Sequence, residues 1–391
     1  MRLLTFSTLY PNAAQPNHGL FVETRLRHLV AAGQAQSRVV APVPWFPFPQ
    51  ERFGHYGRLA RVPASEVRSG LRIDHPRYLA LPRIGMNVSP MLMAQAVKPA
   101  IGRLIDSGYD FDAIDAHYFY PDGVAAVMLG QYFNKPVVVT ARGSDINLLP
   151  QFALPRRMIL WAAERARAVI TVCNYLKDEM VRLGVQADRI TPLRNGVDLE
   201  RFAPMERAAV RDALGFHGFT LLSVGQLVPH KGHDIAIKAL TLLKDASLVV
   251  VGQGPDHGRL AALARELGVA GRVRLAGPVP QTELRNYYSA ADLMVLASSR
   301  EGWANVLLES MACGTPVVAS SVCGTPEVVA APEAGRLLAD RTPESLAHAV
   351  RLLRSHSPDR ADTRRYAERF DWGHTTQGQI DLFRHILMER A

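Results

Sequence analysis

Two glutamates, Glu301 and Glu309, stand on either side of a change in pattern in the stretch Ser299-Arg300-Glu301-Gly302-Trp303-Ala304-Asn305-Val306-Leu307-Leu308-Glu309. Before them, the apolar run from Leu293 to Ala297 reads as a buried strand. After them, the spacing of Val306, Leu307, Ser310 and Met311 predicts a helix closed by Gly314 and Pro316. Asn305 is of a type that caps a helix start with its side-chain oxygen, which places Glu301 in a loop and Glu309 about one turn inside the helix. The two carboxylates can therefore meet different parts of one ligand. The N–H groups of the first turn attract an anion, worth about 0.3–1 kcal/mol and up to ~2 when partly buried, so a phosphate fits between the acids.

The elements that must position this stretch repeat along the chain. Apolar runs at 3–7, 39–43, 136–140, 168–172, 220–224, 247–251, 273–276 and 317–320 predict strands, and segments of helical spacing follow several of them. Asn17-His18-Gly19 leads into a helix from Phe21 to Leu29; Gly19 either lets the backbone approach a ligand or relaxes a turn. His117 sits at the carboxyl end of a strand, where open α/β sheets bind ligands. Arg142, in Ala141-Arg142-Gly143-Ser144-Asp145, either binds an anionic ligand or pairs with Asp145. Gly225-Gln226 and Lys231-Gly232 follow the strand at 220–224. Gly252 and the Gly277-Pro278-Val279 turn end two further strands. The Gly252-Gln253-Gly254 turn lacks the third glycine of a dinucleotide fingerprint, and none is read here.

Taken together, the paired glutamates, the Gly-Thr-Pro-Val-Val-Ala run from Gly314 to Ala319 and the Asn-Gly-Val-Asp run from Asn195 to Asp198 resemble the retaining GT-B glycosyltransferases of glycosyltransferase family 4. The resemblance covers nearly the whole chain and is weakest from Trp45 to Met93. It implies an α/β fold of two Rossmann-like domains whose parallel sheets face an interdomain cleft. Residues 1–198 form the acceptor-side domain and 199–370 the nucleotide-sugar domain, and a segment at 371–391 crosses back to the first. It implies a sugar moved from a nucleotide diphosphate donor to a hydroxyl acceptor such as a lipid-linked or growing polysaccharide chain, with no cofactor and no metal.

By the same resemblance Glu301 lies beside the transferred sugar, and Glu309 holds the ribose. The backbone near Asn305 and Val306, with Lys231, holds the diphosphate; Gly225, Gly252 and Val279 border the nucleotide. His117 contacts the sugar or the acceptor, and Gly19, Arg142 and Asp145 lie on the acceptor side. Two positions depart from the family pattern: Arg142 replaces a histidine, and Gln226 replaces an arginine that binds the diphosphate. Arg300, beside Glu301, is a candidate replacement cation. The alternatives are a phosphorylase or epimerase on the same fold, or a nucleotide-sugar-binding scaffold without catalysis.

Composition bounds the rest. A chain of 391 residues, 48% hydrophobic and 21% charged, has the balance of a globular protein of two domains. Three cysteines, Cys173, Cys313 and Cys323, without zinc-ligand spacing predict buried thiols in a reducing compartment. The N-terminus lacks a signal-peptide pattern and no run is apolar enough to span a bilayer, so a cytoplasmic protein is expected, at most at the inner face of a membrane. Residues 1–200 carry 23 Lys/Arg against 16 Asp/Glu, and residues 201–391 carry 22 against 20. No basic helix with interleaved aromatics accompanies that excess, which argues against nucleic acid. The loop Trp45-Phe46-Pro47-Phe48-Pro49, with Arg52, Arg58, Arg61 and Arg68 behind it, is expected to be exposed and able to meet an anionic membrane.

Overall fold

A computed structural model describes residues 1–80 and 85–388. The chain divides into two compact units, Met1–Arg194 with Gly373–Ala391, and Asn195–Trp372. The last three residues of the segment expected at 371–391 lie outside the described residues. The first division falls before the expected 198/199, because Val197 N–H donates to Phe370 O at 2.8 Å and ties the connecting segment to the second unit.

The first unit is built on β1 (Arg2–Phe6), β2 (Gln36–Val40), β3 (Val43–Pro44), β4 (Ser65–Arg68), β5 (Leu71–Asp74), β6 (Arg77–Tyr78), β7 (Ala113–His117), β8 (Val137–Ala141), β9 (Ala168–Thr171) and β10 (Ile190–Pro192). Eight strands form one sheet in the order β10-β9-β8-β7-β1-β2-β5-β4, parallel except for the antiparallel edge pair β4–β5. β3 and β6 make a separate parallel pair. The central strands β7 and β8 are buried along their whole length, as parallel strands covered on both faces must be. The helix Trp372–Met388 adds Ile380, Phe383 and Ile386 to this unit's core beside Leu3, Leu26 and Val39. It is also fixed by a buried polar contact: Arg25 Nε donates to Gln379 Oε1 at 2.9 Å, and Arg25 also donates to Leu193 O at 3.0 Å.

The second unit carries β11 (Phe219–Val224), β12 (Ala246–Val251), β13 (Val273–Gly277), β14 (Leu293–Leu296), β15 (Val317–Ser320) and β16 (Gly335–Leu338). They form a parallel sheet in the order β13-β12-β11-β14-β15-β16. Both sheets wind outward in two directions, from β1 and from β11. The direction reverses between β1 and β7 in one unit and between β11 and β14 in the other. Doubly wound sheets bind ligands at such reversals, outside the carboxyl ends of the strands.

Several elements escape the sequence pattern. The β4–β5 pair and the helix Gly85–Asp106, which contains Pro90 and Pro99, fall in the segment where the resemblance is weakest. β16, with the sequence Gly-Arg-Leu-Leu, is too short for its alternation to register. Cys173 and Cys313 are buried as expected, but Cys323 is half-buried, because it lies on a turn with φ of 48° at the end of β15.

The loops at the β11 end are packed backbone to backbone. Gly252 has φ of 150°, and a Cβ there would collide with the Gly225 carbonyl oxygen. The glycine is thus required by its own chain. Gly252→Ala is expected to destabilise the second unit by more than about 1 kcal/mol, a fall of roughly 2–4 °C or more in melting temperature. Gly258→Ala, in the helix His257–Glu266 with open space around the Cβ position, should leave stability unchanged or raise it. Thermal melts of the two variants check this contrast.

Candidate active site

In the second unit, β11 ends at Val224 and the chain turns through Pro229–Lys231 into the helix His233–Ala239. Buried His233 anchors this turn, with Nδ1 2.9 Å from Ser223 Oγ and Nε2 3.1 Å from Gln226 O. Lys231 Nζ donates to Glu301 Oε1 at 2.6 Å, and Ser299 N–H donates to His230 O at 2.8 Å. Two contacts thus tie the loop after β11 to the loop after β14 across the reversal. The Cβ position of Gly225 lies 3.7 Å from Lys231 Cδ, so the lysine arm runs along the glycine turn.

The helix after β14 spans Asn305–Ala312 with Ala304 at its N-cap. Asn305 is therefore the first helical residue and not the cap; its amide donates to Trp303 O at 3.0 Å, and its Oδ1 accepts from Asn195 Nδ2 at 3.3 Å. The turn through Trp303 and Ala304 tightens before Asn305, which the residue type alone could not show. Val306 is half-buried in the first turn. Glu309, the fifth helical residue, accepts from Tyr288 Oη at 2.8 Å. Burial pushes the Glu309 carboxyl up to about 7, opposed by Tyr288, by the charge of Arg201 and by Gln281. Arg201 in turn donates to Gln281 Oε1 at 2.6 Å.

Tyr288, Gln281, Arg201 and His233 were not singled out from the sequence. Gln281 and Tyr288 share one helix, Gln281–Ala290, seven residues apart and so on one face of it, while Arg201 comes from a distant segment that no local spacing relates to them. His233 carried one legible signal, its place directly after Lys231-Gly232 at a helix start.

In the first unit, His117, Arg142 and Asp145 come together at the ends of β7 and β8. An Arg142 guanidinium nitrogen donates to His117 Nδ1 at 2.7 Å, and His117 Nε2 lies 3.3 Å from Asp115 Oδ2. That arrangement selects the neutral tautomer with the proton on Nε2, and burial holds the imidazole pKa below its usual value. Arg142 meets Asp145 through its main-chain N–H. The Asp145 carboxylate accepts the backbone N–H groups of Phe119 at 2.8 Å, Gly143 at 2.6 Å and Arg142 at 3.1 Å, because its short side chain sits under the turn after β8. Arg142 also lies over the Phe21 ring, 5.3 Å from its centroid.

Gly19 has φ of 69°, and a Cβ there would collide with Leu9 O, so its close approach is to its own chain. Asp122, missed in the sequence, ties the reversal in this unit: it accepts from Thr8 N at 2.7 Å, while Ser7 Oγ donates to His117 O at 3.0 Å. Burial pushes Asp122 up to about 7. Gly252 serves the packing described above, and half-buried Val279 lies just beyond β13. Among the described residues, no group of three His, Cys, Asp or Glu side chains is placed to hold a metal ion, and no helix is long and apolar enough to cross a membrane.

Comparison with known proteins bears on this architecture. Residues 21–201 match the family model described as Glycosyltransferase Family 4, and residues 211–370 match Glycosyl transferases group 1. The D-inositol 3-phosphate glycosyltransferase of Acidothermus cellulolyticus (strain ATCC 43068 / DSM 8971 / 11B) is 33% identical over 72% of this chain and 68% of its own. A protein of Bacillus subtilis (strain 168), provisionally named teichuronic acid biosynthesis glycosyltransferase TuaC, is 29% identical over 82% of this chain and 81% of its own. Among solved structures, sucrose-phosphate synthase from Thermosynechococcus elongatus has a TM-score of 0.82 at 21% identity, covering 99% of both chains. Anabaena Alr3699/HepE in complex with UDP-glucose has a TM-score of 0.72 at 20% identity, covering 97% of this chain and 98% of that one. The chain belongs to the family 4 glycosyltransferases and has the GT-B fold. Its relatives support a place in glycan or polysaccharide biosynthesis.

The raised Glu309 pKa has a stability consequence with a definite sign. A carboxyl whose folded pKa is raised stabilises the fold below the unfolded pKa, and this contribution is lost as pH rises through about 7. Glu309→Gln keeps an oxygen for Tyr288 and cannot ionise. Its melting temperature should therefore gain on that of the native chain between pH 5 and pH 8. A constant difference across that range would show that Glu309 does not titrate there.

Proposed function

We propose that the chain is a retaining glycosyltransferase that uses neither metal nor cofactor and moves a sugar from a nucleotide diphosphate sugar to a hydroxyl of a polysaccharide or glycolipid. The observation that carries this reading is the Lys231–Glu301 pair at 2.6 Å, which joins the two loops at the β11–β14 reversal, with Glu309 one turn into the next helix. The UDP and UDP-glucose held by the Alr3699/HepE structures support a nucleotide donor.

In this reading the Glu309 carboxylate accepts from ribose hydroxyls, and Gly225, Gly252 and Val279 border the nucleotide. Lys231 and the field of the helix start near Asn305 and Val306 favour the negative charge that develops on the leaving phosphate. Glu301, held by Lys231, orients the sugar and is not assigned as a covalent nucleophile. The acceptor oxygen bonds to the anomeric carbon on the face from which the phosphate leaves, and its proton passes to the leaving phosphate oxygen. His117 has both ring nitrogens directed at protein groups, so it acts by holding Arg142 on the acceptor side.

The reading includes a membrane contact for the first unit. Trp45, Phe48 and Tyr56 are 53%, 49% and 48% exposed. Phe46 packs with Phe53 and Tyr56 at centroid distances of 5.5 and 5.3 Å, and Arg52, Arg58 and Arg61 are exposed beside them. Rings that insert at a headgroup layer, flanked by guanidinium groups, suit an anionic surface.

Binding and slow hydrolysis of a panel of UDP-, GDP- and ADP-sugars test the donor. Lys231→Ala and Glu309→Ala should weaken binding, the former by roughly tenfold to a hundredfold as a charged hydrogen bond is lost, and Glu301→Gln should mainly slow turnover. An inverted anomer in the product overturns retention. Binding without turnover on any acceptor moves the scaffold reading forward, and no binding at all sinks the donor site. Separately, the protein should cosediment with anionic liposomes at low salt, less so after Trp45→Ala with Phe48→Ala; absence of cosedimentation removes the membrane contact.

A further inference from the structure

The diphosphate of a nucleotide sugar carries two negative charges, and the loops at the β11–β14 reversal meet it unevenly. Lys231 faces Glu301 at 2.6 Å, so that pair adds no net charge. Gln226, next to the glycine turn along which the lysine arm runs, is neutral. Burial, followed by the charges of Arg300 and Lys231, holds the His230 pKa below its usual value, which leaves that ring neutral near pH 7. Arg341 is exposed and is committed through Nε to Ala297 O at 2.7 Å.

Arg300 differs from all of these. It is half-buried and precedes Glu301 on the loop after β14, and its charge is felt at His230 on the facing loop. Among the described residues its guanidinium has no hydrogen bond and no carboxylate within ion-pair distance. A half-buried arginine that no protein group meets keeps its guanidinium donors free for a ligand. A guanidinium also matches phosphate oxygens in two parallel hydrogen bonds.

We propose that Arg300 is the residue that grips the donor diphosphate, supplying from the loop after β14 the charge that Gln226 does not supply from the loop after β11. This deepens the donor reading above and rests on it. Binding discrimination between nucleoside diphosphate and monophosphate then rests on Arg300 beside Lys231. Because Gln226 and Arg300 serve the same group from facing loops, moving the charge from one to the other preserves the discrimination.

Calorimetric titration with UDP and UMP tests this, with GDP/GMP and ADP/AMP run if UDP does not bind. The native chain should prefer the diphosphate. Arg300→Gln should weaken diphosphate binding by roughly tenfold to a hundredfold with little change for the monophosphate and an unchanged melting temperature, since no hydrogen bond or ion pair among the described residues is lost. Adding Gln226→Arg to Arg300→Gln should restore most of the preference. Glu309→Ala, by contrast, should weaken both nucleotides alike. Arg300→Gln with native diphosphate affinity, beside a weakened Glu309→Ala, overturns this role for Arg300 and leaves the donor reading standing. A native chain that binds none of the nucleotides overturns both.

Discussion

Winding a parallel sheet in both directions from one strand sends the two connections at that strand to opposite faces, so the carboxyl ends beside it are left open to a ligand. Both units of this chain obey that constraint, and each ties its opening shut by polar contacts between the loops that leave the two strands. Between β11 and β14 the ties are Lys231 to Glu301 and Ser299 to His230. Between β1 and β7 they are Thr8 to Asp122 and Ser7 to His117. The candidate chemistry of the molecule sits on these ties because there the backbone ends without being covered.

The two units use charge differently. In the first, Arg25, Asp115, His117, Arg142 and Asp145 are all buried. Burial pulls the Arg25 guanidinium down to about 10 and Arg142 well below its ordinary value, and raises Asp145. Within that cluster three groups are met by partners: backbone N–H groups for Asp145, a ring nitrogen for Arg142, Gln379 and a carbonyl for Arg25. Removing one partner would leave a buried charge or dipole unmet, which makes this end of the sheet stiff. In the second unit half-buried Arg300 has no hydrogen bond or ion pair among the described residues, an arrangement suited to receiving an anion.

The return of the chain to the first unit follows the same logic. The helix Trp372–Met388 brings apolar side chains to a core that β1 and β2 leave open, and Gln379 on that helix satisfies Arg25. An arginine in the helix Leu20–Ala31 thus has its partner more than 350 positions away. Local pattern carries no trace of such a pairing.

How much was legible follows from what each signal depends on. Apolar runs and helical spacing are local, so the strands of both central sheets, the helix after β14 and the placement of Glu301 in a loop with Glu309 in a helix could be read from sequence order alone. Glu301, Lys231 and the family membership came from short motifs whose residues are neighbours in the chain. Short or interrupted elements, such as β16 and the helix with two prolines, carry too few residues for a period to emerge. What only the tertiary structure decided is partnership: that Lys231 meets Glu301, that Tyr288 and Gln281 attend Glu309, that Arg142 meets His117, and that Gly19 and Gly252 yield to their own backbone. Those outcomes depend on the strand order, which the chain sets by long-range packing, and local spacing does not encode it.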